Sequence, residues 1–380
     1  MGCLRLFLAL VVVAAHTLPA GRLPIFGGNL AVKLFFVVSG FYMALILSEK
    51  YNQPGGTGTR LFYSNRALRI FPLLWLVLAM EIVCAAIVPS VTGTDWAQWP
   101  GLLGRLWEQG HLLAIAALGF SQMSGFAVDA MHLVSFDSAG AAHLYDGPVA
   151  GDSLRGWQPL PMSHAWSISC ELVFYLLAPV LVRMRLAWLA VVAVASALLD
   201  PLLSRGLRLP ALADVASNFA APCQFGYFVL GIAAYRLYRH PRWSPSVAHP
   251  LAQASVVAAF AAVCVFYSGW NRLSYTGTLV LLYTGVVLAI PVLFARCARL
   301  TWDREIGDLS YPVYLTHVTV IRFFDLPAVT GRLGAGFHGS LAHASLVAII
   351  SIALSWLIVR TIDHRIDAYR QARLARAAAA

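Results

Sequence analysis

Residues 29–48 read NLAVKLFFVVSGFYMALILS, a stretch with a single charged side chain, Lys33. About 20 apolar residues at 1.5 Å rise per residue cover the ~30 Å hydrocarbon core of a bilayer. Comparable stretches recur at 4–20, 70–89, 165–182, 186–203, 219–235, 250–268, 275–295, 308–326 and 341–360. The 380-residue chain is 59% hydrophobic and 12% charged, where a soluble domain carries about 25% charge. Its mean hydropathy is +0.72. The expected fold is all-α: a polytopic membrane helical bundle of about ten transmembrane helices, with little chain left for a separate soluble domain.

The formal net charge is +10. In a soluble chain that balance would suggest nucleic acid, but there is no long basic tract and no nucleic-acid motif. The basic residues sit in short loops between apolar runs, as the positive-inside rule describes. With the N-terminus placed inside, 18 of the 27 Lys and Arg residues fall on the inner side and eight on the outer, and Lys33 lies within a span. Ten helices with both termini cytoplasmic follow. Residues 111–131 (HLLAIAALGFSQMSGFAVDAM) would invert every later loop if they spanned. They are read as a re-entrant or surface segment of one long extracytoplasmic region, 90–164. That region holds Trp96, Trp99, Trp107, Phe126, Phe136, Tyr145 and Trp157 beside Asp95, Glu108, Asp129, Asp137, Asp146 and Asp152. Aromatics with carboxylates suit a sugar-binding surface, and equally an interfacial aromatic belt. The membrane domain covers 1–365. Residues 366–380 form a basic cytoplasmic tail that reads as an amphipathic anchor on the inner leaflet. The six cysteines are scattered singly, without a CxxC, and read as reduced packing residues. No metal site is expected. The N-terminal apolar run lacks a convincing cleavage site and is read as a span, not a signal peptide.

Ionisable residues inside spans are costly and mark function. Arg5 and His16 are eleven residues apart, which on a helix returns to within ~20° of the starting direction after a rise of ~16 Å. Both lie on one face. His16 is a candidate general base, or an interfacial residue bound to water or a carbonyl. In the second span, Lys33 reads as a snorkelling cation, and Ser39-Gly40 as a site of close helix packing. Arg66 and Arg69, at i, i+3, are neighbours at a helix end and make a phosphate clamp or simply obey the positive-inside rule. In HAWSISCELVFY (164–175), Ser167 and Glu171 share a face with His164. Glu171, inside an apolar helix, needs a partner or a cavity. LSYPVYLTH (309–317) places His317 near mid-membrane.

In this order the blocks resemble the membrane acyltransferase 3 family. Arg5…His16 fits its Arg-x10-His first helix, FFVVSGF its second-helix signature and RALRIFPLLW its third. WSISCELVFY resembles its Trp-Ser-x-x-x-Glu helix, and LSYPVYLTH its late Ser-Tyr…Leu-x-His helix. The likeness runs over residues 4–318. The tail IDHRID departs from the Glu-x-Pro of relatives, and no SGNH domain follows the last span, which leaves room for a separate extracytoplasmic transferase partner. The resemblance implies a membrane acyltransferase domain over 1–365. It implies transfer of an acyl group, commonly acetyl, from cytoplasmic acyl-CoA to a hydroxyl of an exported glycan such as O-antigen, exopolysaccharide or lipo-oligosaccharide, in a cell inner membrane. It implies His16 as catalytic base, Glu171 as its active-site partner and Arg5 as organiser or CoA contact. Arg66 and Arg69 become CoA phosphate contacts, and Ser39, Lys33, Ser167 and His317 supporting residues. A transporter or flippase without acyl chemistry, or an acyltransferase for a lipid or small metabolite, is the competing expectation.

Overall fold

The computed structural model describes all residues except 20, 23, 24, 53–56, 138–140, 150, 152, 243–248, 335 and 380. Asp152, one of the carboxylates of the long loop region, therefore lies outside the described residues. Helices α1 (Gly2–Thr17), α2 (Gly28–Glu49) and α3 (Thr57–Thr92) come first. The long insertion carries α4 (Trp99–Glu108), α5 (Leu112–Ser124), α6 (Val128–Met131) and strands β1 (Val134–Phe136), β2 (Ala142–Leu144) and β3 (Leu154–Arg155). After it come α7 (Trp166–Leu181), α8 (Leu186–Pro201), α9 (Pro210–Phe219), α10 (Ala221–Arg239), α11 (Pro250–Val265), α12 (Tyr267–Leu273) and α13 (Tyr275–Cys297). The chain closes with α14 (Thr301–Asp325), α15 (Pro327–Leu333), α16 (Leu341–Ile358) and α17 (His364–Ala379).

Each of the ten apolar segments falls on a helix, and the fold is a helical membrane bundle. Its outward faces stay apolar: Trp188, Val191, Val194 and Leu198 of α8 are all exposed, which suits lipid and not water. Among the described residues, six helices are long and apolar enough to cross a membrane, and the bent pair α11–α12 makes seven. That is fewer than the ten expected, for local reasons. Helix α1 has 16 residues, or about 24 Å. Helix α14 carries Asp303, Arg304, Glu305, Asp308, Arg322 and Asp325. Helix α10 carries Gln224, three tyrosines, Arg236 and Arg239, and the segment over 250–268, counted as one span, bends by 73° between α11 and α12.

Two further differences and one agreement concern the segments around the spans. Helix α3 runs for 36 residues, so Arg66 and Arg69 stand inside a helix rather than at its end. Those polar first turns are held by side chains of other helices, described below. Residues 111–131 do not form a span: α5 has 13 residues, about 20 Å, and ends on Gly125 in the left-handed region (φ 70°). It is pinned by Trp75 Nε1 donating to the Met123 carbonyl (2.8 Å). Finally, the insertion holds a three-stranded antiparallel sheet, order β2-β1-β3, with Val134 opposite Leu144 and Ser135 opposite Arg155. It is the departure from an all-α fold among the described residues.

The core is knitted where α2 crosses α10 and where α1 lies along α14. Asp303, at the start of α14, accepts from the Met1 amino group (2.7 Å), Gly2 N (2.8 Å) and Cys3 N (3.0 Å). Burial alone would raise its pKa, but these donors hold it at about 2. The clamp satisfies the open first turn of α1. It also sets a register. From Gly2 to His16 and from Asp303 to His317 is the same fourteen-residue step, so two parallel helices with a common rise bring the two histidines level about 21 Å away.

Candidate active site

The register predicts proximity, and the rings of His16 and His317 indeed lie 5.0 Å apart. His164, in the short turn before α7, joins them with its ring 5.3 Å from that of His317. Each imidazole bonds a backbone carbonyl: His16 Nδ1 to Val12 O (2.9 Å), His317 Nδ1 to Tyr314 O (2.6 Å) and His164 Nε2 to Leu315 O (3.1 Å). A carbonyl oxygen only accepts, so the bonded nitrogen must carry the proton. The opposite nitrogen of each neutral ring is then a lone-pair acceptor. For His317 Nε2 and His164 Nδ1 that nitrogen is buried and unpartnered. His16 is solvent-accessible, yet protein surrounds most of its ring. It lines a recess.

The position of His164 is fixed from α14. Tyr314 donates to the His164 carbonyl (2.5 Å) and accepts from Ser167 Oγ (2.7 Å). Ser167 thus serves the site by placing Tyr314. Glu171 does not reach His16. Its Oε1 accepts from Ser39 Oγ (2.6 Å) and from the Tyr175 hydroxyl. The backbone carbonyl of Val12, not Glu171, orients the His16 ring. Lys33 lies over the Tyr227 ring, 5.6 Å from its centroid, apart from the histidines.

Arginines gather at the opposite end. Arg69 is fully engaged: Nη1 meets Asp363 (2.6 Å) and Nη2 meets Asp308 (3.3 Å). Arg66 is not. Its guanidinium stands 5.9 Å from the ring centres of Phe62 and Tyr175, and its buried Nε has no partner. Arg5 lies beside Gly307, where the close approach of α1 to α14 leaves no room for a side chain. Among the described residues, neither Arg5 nor Arg66 has a carboxylate within ion-pair distance.

Several residues of the histidine end escaped the sequence. Glu81, 1% exposed, accepts from Trp96 Nε1 (3.0 Å), Thr319 Oγ1 (2.6 Å) and Arg322. Arg322 also donates to the Pro161 carbonyl (2.9 Å). This knot ties α3, the insertion and α14 together just beyond the histidines. A lone Glu in the apolar run 70–89 was its available signal. Asp129 accepts from Ser169 Oγ (2.6 Å) and Ala221 N (3.0 Å), fastening the insertion to α7 and α10. The six cysteines are free. Asp325, His338 and His343 offer ligand atoms within 4.8 Å of one another at the junction of α14 and α16.

Imidazoles with unpartnered nitrogens at one end of a membrane bundle, and arginines without an ion-pair carboxylate at the other, put proton-accepting and anion-binding groups in one fold. The comparisons give the class: residues 1–360 match the acyltransferase domain model Acyl_transf_3, and the chain belongs to that family of acyltransferases. It is similar to the Acyltransferase MdmB of Streptomyces mycarofaciens, 24% identical over 356 residues, covering 86% of this chain and 77% of that protein. No solved structure matches the chain.

Proposed function

We propose that this acyltransferase moves an acyl group, acetyl by preference, from cytoplasmic acyl-CoA to a hydroxyl of an exported glycan at the outer face of a bacterial inner membrane. The observation that carries this reading is the His16–His317–His164 cluster with its carbonyl-fixed tautomers. His16 is the base because it alone of the three reaches solvent. Its Nε2 takes the hydroxyl proton as the acceptor oxygen attacks the thioester carbonyl. The C–O bond forms, the C–S bond breaks, and the departing CoA thiolate recovers a proton from the imidazolium. His317 and His164 stand beside it and place further lone pairs there.

The arginine end is assigned to the cytoplasm, where the donor is found and where the positive-inside count places it. The same count, with α1, α10 and α14 taken as spans, gives ten spans and both termini inside. Arg5 and Arg66 then face the donor's phosphates, whereas Arg69 is held by Asp308 and Asp363 and acts through the fold. The glycan acceptor is favoured by an aromatic ring that the insertion leaves open to solvent, Trp107, 67% exposed. Sugars present C–H faces that pack on such rings.

The test is acyl transfer from radiolabelled acetyl-CoA by the purified protein in sealed proteoliposomes, with cell-envelope glycans on the far side. Label should reach a glycan hydroxyl, and His16→Ala should lower the rate at least ~100-fold, the scale of general base catalysis, with the protein still folded. Wild-type turnover in His16→Ala refutes the base. Label on lipid or on a small metabolite in place of glycan refutes the acceptor, and glycan crossing without CoA turnover refutes acyl chemistry altogether.

A further inference from the structure

The tail helix α17 lies beyond the 1–360 family match, and its expected role was that of an inner-leaflet anchor. In the structure it docks on α3. Arg373 donates from Nη1 to Asn65 Oδ1 (2.9 Å) and from Nη2 to Ser64 Oγ (2.8 Å). Asn65 is buried and in turn donates to the Tyr51 hydroxyl (3.1 Å). Both acceptors of Arg373 are neutral, so its charge stays uncompensated. Docking also buries Arg370, three residues earlier on the same helix face, to 7% exposure. Arg370 Nη1 meets Asp367 (2.9 Å), an i, i+3 contact from a buried arginine to a half-exposed carboxylate, for which water competes. Its Nε is buried without a partner.

Across the seam stands Arg66, next in sequence to Asn65, with its own Nε buried and unpartnered. Burial, and then the nearby charges of Arg66 and Arg69, press the pKa of Arg370 below the usual arginine value. Arg69 is already neutralised by Asp308 and Asp363. Like charges with orphaned donors, held together out of water, are unfavourable until an anion lies between them. Phosphate fits best, because planar guanidinium donors meet its oxygens in pairs.

We propose that Arg66 and Arg370, with α17 locked in place by Arg373, form a phosphate pocket for the CoA moiety of the donor, so that the tail is a part of the donor site. This rests on the acyl-CoA reading above. A lipid headgroup offers the same phosphate chemistry, but the seam lies between two helices. From it, Arg66 leads inward through Tyr175 to Glu171 and Ser39. A nucleotide with an extended arm suits that path better than a headgroup with two acyl chains.

The experiment uses the full-length protein in detergent, with acetyl-CoA, inorganic pyrophosphate and phosphatidylglycerol as separate probes, read by calorimetry and by thermal shift. Arg370→Gln and Arg66→Gln should each weaken acetyl-CoA binding at least tenfold and raise KM with kcat little changed. Arg370→Lys should recover part of the loss. Arg376→Gln, on the exposed face of α17, should bind as wild type. Without ligand, Arg370→Gln should melt no lower than wild type, because a buried like charge has been removed; a purely structural arginine would show the opposite. Wild-type affinity in Arg370→Gln, with loss only in Arg66→Gln, overturns the role of the tail and leaves the donor reading intact. No acetyl-CoA binding by wild type, with a pyrophosphate shift that requires Arg370, keeps the phosphate pocket and refutes the donor reading. Occupancy by phosphatidylglycerol alone overturns the proposal in favour of a lipid site. Should Arg370→Gln fail to fold, Arg370→Lys decides: unchanged affinity and salt dependence overturn the pocket.

Discussion

The α2–α10 crossing makes a prediction that can be worked from distances. A Cβ on Gly40 would lie 2.0 Å from the Phe228 carbonyl oxygen, and one on Gly231 would lie 2.0 Å from the Val37 oxygen. The obstacles are backbone atoms, which no rotamer change removes. Restoring an ordinary contact of about 3.4 Å requires the helices to part by about 1.4 Å. A gap of 0.5–1 Å already forfeits a quarter to a half of a dispersion well, so neighbouring contacts weaken as well. These include the stacked rings of Phe36 and Phe228, with centroids 4.6 Å apart. Overpacked cores lose about 1–3 kcal/mol, and Gly40→Ala belongs at the upper end. The expected fall in Tm is about 5 °C, measured by thermal unfolding of the purified protein in detergent. Acyl transfer should fall as well, because Ser39, the adjacent residue, holds Glu171 at 2.6 Å. Gly119→Ala in α5, where nothing lies within 4 Å, is the control and should be neutral or slightly stabilising. If Gly40→Ala melts with Gly119→Ala, within about a degree, the close crossing is not what holds these helices and the argument fails.

Other consequences follow from the buried polar groups. Glu81→Gln strands Arg322 and should destabilise by about 3–5 kcal/mol, as breaking a buried pair does; the Glu81→Gln/Arg322→Gln double variant should melt higher than the Glu81→Gln single, and a lower melt would mean that the two groups are not coupled. His132, buried against Phe219 and near Arg155, has its pKa lowered to about 4, with burial as the main cause. The unfolded chain therefore takes up a proton between pH 6.5 and 4 that the folded insertion refuses, and stability falls as pH drops through that window by up to about 3 kcal/mol. His132→Gln should flatten this slope, and an unchanged slope in melting experiments would assign it to another group.

Much of the bundle was legible because spans depend on length and hydropathy, which a sequence displays directly. The close packing at Ser39-Gly40 was legible for the same reason: two small residues interrupt a run of large ones. Its partner Gly231 was not, since pairing between residues 191 positions apart is a property of topology. The site was legible by type and less so by connection. His16 and His317 were both singled out, but their proximity depends on the Asp303 clamp at the far end of both helices. The resemblance implied Glu171 as the partner of His16, and the residues alone said only that a buried carboxylate needs a partner; the helix α7 turns it toward Ser39 and Tyr175. Arg66 and Arg69 read as equals at i, i+3, yet two carboxylates supplied by α14 and by the turn after α16 take only Arg69.

That asymmetry gives the bundle its polarity. The end built from the first turns of α1, α3 and α14 carries cations in excess of their local carboxylates, and the other end carries neutral imidazoles with bare nitrogens. Along α1 alone, Arg5 and His16 are separated by about 16 Å. A donor whose phosphates and thioester sit at the two ends of an extended arm is matched by this spacing, whereas a compact anion would touch one end and leave the other idle. The Asp303 clamp holds the spacing: it fixes α1 against α14 at the cationic end and so determines which histidine faces His16 at the other. On the function proposed above, the chemistry of the proton and the binding of the donor's phosphates would be coupled through one helix register, the common step from the Asp303 clamp to the histidines of α1 and α14.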